Sequence, residues 1–94
     1  MTVVYGDEAV ATLFEISDFI YSINTVGAGE RWIAKLTKWV ESYALKNVSF
    51  ALCQDDFLAS LKLSCLNYND WIIAFTLKDN LFVVHKVIRG NLLA

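Results

Sequence analysis

The residues able to do chemistry crowd into one stretch late in the sequence. His85 is the only histidine among 94 residues, and an imidazole is the one side chain that ordinarily trades protons near neutral pH. Lys86 follows it, Arg89 ends the same run, and Lys62 lies upstream. Lysine and arginine can hold a phosphate or a carboxylate. In a regular strand Lys86 faces away from His85, and a bulge could bring it over. Each residue also has a plainer role. The histidine can simply pack in a strand, the lysine can snorkel over apolar surface, and the arginine can sit solvated at a strand end.

Cys53 and Cys65 are the only cysteines, with no CxxC and no cysteine–histidine spacing. A structural zinc site needs about four ligands at close spacing. No metal or cofactor is therefore expected, and the two cysteines read as buried thiols in a reducing cytosol. Asp55 and Asp56 are adjacent carboxylates without an identifiable distant partner, so they read as a solvated loop. Gly27 and Gly29 have no phosphate-loop context and read as turn formers.

The elements that must position these residues follow from periodicity. Thr2, Val3, Val4 and Tyr5 make a short β-branched and aromatic strand. Asp7 reads as a helix N-cap, with Glu8 adding charge that suits the helix dipole. Leu13, Ile16, Ile20 and Ile23 then repeat at helical spacing, with Val10, Phe14 and Phe19 widening that face. Asn24, Thr25 and the two glycines break the helix. A second helix over 30–45 carries Ile33, Leu36, Val40 and Tyr43 on one stripe, with Trp32 and Trp39 beside it. Two such helices joined by a short turn form an antiparallel hairpin whose shared stripe must cover something.

The stretch 47–60 reads as a loop with a helical turn around 55–59. Strands are expected over 61–66, 71–77 and 81–88, as an antiparallel meander closed by a turn at Lys78, Asp79 and Asn80. Alternation is weak in the last two. One face of the final strand reads Phe82, Val84, Lys86, Ile88, and the other Leu81, Val83, His85, Val87, Arg89. Both sheet faces are thus apolar, and the helices can cover only one. The second is expected to meet a partner or to form a shallow cleft with His85 and Arg89 at its edge.

Composition points the same way. Hydrophobic residues make up 56% of the chain, and the net charge is −2. Mean hydropathy is +0.45. Disorder is excluded by that combination. Apolar runs are too short for a membrane span, which needs about 20 residues. The start of the chain shows no basic segment before an apolar run, so no secretory signal is expected. Residues 1–30 carry five acidic side chains and no basic one, so the positive charge sits with the second helix and the sheet. One small domain with this much apolar surface is expected to have an obligate partner or to form a homodimer. The tail at Leu92 and Leu93 adds to that surface.

Three stretches carry a resemblance. They are Val3 to Tyr5 with Glu8 to Leu13, the helix over 28–43, and above all Asp70 to Phe75 with Leu81 to Gly90. Together they resemble the RelE/ParE superfamily of toxins from type II toxin–antitoxin systems. The likeness implies an α+β fold in which a helical hairpin packs on one face of a twisted, mainly antiparallel four-stranded sheet. It implies a cognate antitoxin as partner and a cytoplasmic location. It also implies one of two activities: ribosome-dependent mRNA cleavage, or inhibition of DNA gyrase without nuclease chemistry. RNA cleavage by attack of a 2′-hydroxyl wants a base, a proton donor and cations for the phosphorane charge. The resemblance puts Arg89 at the family's active-site-proximal position, and what remains in this chain for the other tasks is Lys86, His85 and Lys62, with Tyr68 nearby. Residues 63–75 lack any basic side chain, where relatives often have several. With a pI near 5.1, that lack favours a non-catalytic binding or dimerisation module of the same fold as the alternative.

Overall fold

The computed structural model describes residues 2–23, 26–45 and 52–90. The expected break at Asn24 and Thr25, positions 47–51 of the expected loop, and the apolar tail lie outside the described residues. Strand β1 spans Thr2–Tyr5. The Gly6 carbonyl accepts the Val10 N–H at 3.0 Å, so helix α1 begins at Asp7 and runs Asp7–Ile23. Asp7 therefore lies inside the first turn rather than ahead of it.

Helix α1 buries Ala9, Leu13 and Ile16. Ile20 is half-buried, but Ile23 is 63% exposed. A straight helix drifts about 20° per heptad, and Ile23 stands two heptads beyond Ala9. Val10, Phe14 and Phe19 are also exposed rather than part of the covered face. Gly27 adopts φ +84°, outside the reach of most L residues, and precedes helix α2, Ala28–Ala44. Gly29 is not a turn former. It is buried inside α2, where a Cβ would meet the Ser17 carbonyl oxygen of α1 at 2.5 Å. Leu36 and Val40 are fully buried, as their spacing predicts.

Helix α3 is one short turn, Asp56–Ser60. Strands β2 (Ser64–Tyr68), β3 (Trp71–Lys78) and β4 (Leu81–Arg89) complete the fold. The sheet order is β1-β4-β3-β2. β1 runs parallel to β4 while the other pairings are antiparallel, so the sheet is mixed. At the β3–β4 turn, Asp79 and Asn80 both take positive φ, 51° and 63°. That is the two-residue geometry matching the twist of a hairpin.

One irregularity reorganises β4. Ala74 pairs with Lys86, yet Phe75 pairs with Val84, so His85 is an extra residue without a cross-strand partner. Such a bulge reverses the alternation beyond it. Phe82 and Val84 before it, and Val87 after it, all join the core beneath the helices. Ile88 packs on the opposite side. The faces read from strict alternation are thus corrected. Val87 and Arg89 belong with Phe82 and Val84, while Lys86 and Ile88 belong with Leu81 and Val83.

The second face is not bare. Residues 52–63 fold back over it, and Cys53, Leu58 and Leu63 form a small core with Ala74, Cys65 and Ile88. Cys53 and Cys65 are joined as a disulfide, with Cα atoms 5.0 Å apart. The expectation of two thiols is corrected: folding of this lobe brings together two cysteines whose spacing alone says nothing about contact. Asp55 caps α3 by accepting the Leu58 N–H at 3.0 Å. The other end closes with Lys62 N–H on Ala59 O at 2.9 Å and Leu63 N–H on Leu58 O at 3.2 Å. That is the Schellman pattern, here with lysine where glycine is usual. It consumes 61–63, so the strand expected over 61–66 starts at Ser64 instead. No helix among the described residues is long and apolar enough to cross a membrane.

Candidate functional site

The parallel pairing of β1 with β4 places the start of α1 beside the bulge. Tyr5 is in register with Val84, so the chain leaves β1 at Gly6 and enters α1 next to His85 and Lys86. The lobe approaches from the other side through Leu61 and Leu63. Between them lies an open cleft of about 410 Å³ that also takes in Thr76 of β3.

The bulge turns His85 and Lys86 into this cleft together. His85 Nε2 is 2.8 Å from Thr76 Oγ1, and which group donates depends on the imidazole tautomer. Lys86 Nζ donates to Glu8 Oε2 at 2.8 Å. The lysine side chain is 25% exposed and the glutamate 62%. Glu8 thus stands by the helix N-terminus and an ammonium at once. Solvent weakens the pair to at most about 1 kcal/mol. For an incoming anion, the carboxylate is a competitor already seated on Lys86.

Lys62 borders the same cleft through its neighbours, and its backbone sits at φ 60° in the left-handed region. Its side chain is exposed. Arg89 is elsewhere. It pairs in register with Trp71, and its guanidinium carbon lies 5.8 Å from the Trp71 ring centroid. That places it at the margin of the helical face, beside Ile16 and Ile20 of α1. The four candidates therefore divide: His85, Lys86 and the Lys62 segment on the second face, and Arg89 on the helical face.

Tyr68 falls with Arg89's side as well. Its ring packs against Trp39 at 5.0 Å and Trp32 at 6.5 Å, while Trp32 meets Trp71 edge-on at 5.9 Å. Trp32 and Trp39 are thus half-buried packing residues of the helix–sheet interface, in the role their spacing suggests. Among the described residues, no three histidine, cysteine or acidic side chains gather into a metal-binding group.

Sequence reasoning missed Thr76 and Glu8 as members of the cleft. Thr76 lies on the strand face that alternation gives to Val83 and His85, but no residue type marks it as the histidine's hydrogen-bond partner. Glu8 reads from the sequence as a helix-dipole charge, and nothing local ties it to a lysine far along the chain. It also missed Tyr5, whose hydroxyl is buried without a hydrogen-bond partner. Burial, then the nearby Glu41 charge, pushes that hydroxyl up to about 12.

These features define a class: a small α+β domain with a helical hairpin on one sheet face and a disulfide-closed lobe on the other. No family model and no curated protein sequence matches the chain.

Proposed function

We propose that this chain is a RelE/ParE-like toxin that acts by binding a protein target, in the manner of the gyrase-directed branch, rather than by cutting mRNA. The observation that carries this reading is the division of the cationic residues between two sheet faces. Cleavage needs a base, an acid and charge-stabilising cations converging on one phosphate. Here His85 is bonded to Thr76, Lys86 is paired with Glu8, and Arg89 lies across the sheet against Trp71. The resemblance of the three stretches supplies the toxin part of the reading. The element order and the helical hairpin on a four-stranded sheet are compatible with it.

A cognate antitoxin is the partner this reading requires. Exposed Val10, Phe14 and Tyr21 on α1 offer it apolar surface. The cytoplasm is the matching location. The test is expression in a bacterial host, with and without the small open reading frame adjacent to the gene. Growth arrest relieved by that neighbour, with intact messages and impaired supercoiling by gyrase, is the expected result. Ribosome-dependent cuts in translated mRNA, abolished by Arg89→Ala, would establish the nuclease reading instead. Expression without any effect on growth would favour the non-catalytic module.

A further inference from the structure

The Cys53–Cys65 disulfide spans the lobe and nothing else. One sulfur belongs to Cys53, the second residue of the lobe, and the other to β2, where Cys65 pairs with Ala74 of β3. The main core beneath α1 and α2 contains neither cysteine. Within the lobe, noncovalent anchorage is thin. Leu58 and Leu63 are its only large buried side chains, whereas Leu52, Phe57 and Leu61 are 56%, 64% and 47% exposed. One isolated backbone bridge joins its ends, Leu52 with Ser64, in which the Cys53 N–H donates to Leu63 O at 2.9 Å. Capping at Asp55 and Lys62 makes the turn between them a unit that can move as one body.

We propose that this disulfide is a redox latch on the His85 cleft. Oxidised, it holds the lobe against Ala74 and Ile88, and Leu61 and Leu63 wall the cleft. Reduced, the lobe detaches and the cleft widens towards His85, Thr76 and Lys86. The reductant is a dithiol. Its thiolate attacks Sγ of Cys65, the less buried cysteine, forming a mixed disulfide while Cys53 leaves as a thiolate and takes up a proton. The second thiol of the reductant then attacks its own sulfur in the mixed disulfide. Cys65 is released as a thiolate and protonated, and the reductant closes into an intramolecular disulfide. Two electrons and two protons pass to the protein. The latch does not depend on whether the chain is a toxin.

The test compares the purified full chain after oxidation with the same chain in dithiothreitol, reading amide exchange residue by residue. Expected is acceleration of about tenfold or more at the residue 53 amide, whose bond to Leu63 O joins the ends of the lobe, with Phe75 and Val84 unchanged. Because His85 is the sole histidine, its carbethoxylation by diethyl pyrocarbonate reports the cleft directly and should quicken on reduction. The Cys53→Ser/Cys65→Ser chain, kept oxidising, should match the reduced wild type in both readouts. Unchanged exchange at the residue 53 amide overturns the latch. So does equal acceleration at Phe75 and Val84, which would make the bond a staple for the whole fold. A wild-type mass that stays that of two free thiols under oxidising conditions overturns it too.

Discussion

Gly29 of α2 rests directly on the Ser17 backbone of α1, and this one contact sets how closely the two long helices approach. A Cβ there would stand 2.5 Å from the Ser17 carbonyl oxygen and 3.1 Å from its carbon. Backbone cannot swing aside as a side-chain tip can. Gly29→Ala should therefore destabilise the fold by about 1–3 kcal/mol despite alanine's better helix propensity. Urea unfolding followed by circular dichroism would read the change, and a gain in stability would refute the close approach.

Leu36 is fully buried between α2 and the sheet. Leu36→Ala removes apolar contact and leaves a cavity, at a cost of about 2–5 kcal/mol. A loss below half of that lower bound in the same unfolding experiment would contradict hairpin-on-sheet packing.

Lys62 holds φ 60° at the end of α3, a conformation in which an L side chain crowds its own carbonyl. Glycine would relieve that crowding while adding freedom to the unfolded chain. Lys62→Gly should therefore stabilise by about 0.5–1 kcal/mol net. A lower urea midpoint for this variant would show that the lysine side chain contributes contacts that outweigh its backbone strain.

Tyr5 carries a pH signature. Its hydroxyl is raised from 10.0 to about 12 by burial, with Glu41 adding to the effect. The folded state thus keeps its proton where the unfolded chain has lost it. This contribution is complete below pH 10 and declines as pH rises from 10 towards 12. Tyr5→Phe should flatten that part of the decline. It should also raise stability at neutral pH by up to about 1 kcal/mol, because an unpartnered buried hydroxyl is removed. Identical pH profiles for the two proteins between pH 9 and 12 would contradict the assignment.

The helical hairpin was legible because Leu13, Ile16, Leu36 and Val40 repeat at the helical period, a signal set by local geometry alone. The β3–β4 hairpin was legible for a similar reason, since Asp79 and Asn80 tolerate the left-handed backbone a tight turn needs. The bulge was not. His85 and Lys86 have no residue type that demands an extra position, and only their pairing with Ala74 and Phe75 creates one. Strict alternation without the bulge groups Arg89 with His85 on one face and takes Val87 off the core. The lobe was equally opaque. Its small core joins Leu58 to Ala74 and Ile88, contacts without local periodicity, and the disulfide becomes visible only once those contacts exist.

The parallel register of Thr2 with Leu81 and of Tyr5 with Val84 also governs how the molecule comes into being. β1 can find its neighbour only when β4 has emerged. At about 5–20 residues per second of synthesis, it waits roughly four to sixteen seconds. Pairings so distant in sequence are slow to close even in the finished chain. Throughout that interval the stripes of α1 and α2 have no sheet beneath them. A nascent chain of this protein is a natural client for chaperones that hold exposed apolar helices.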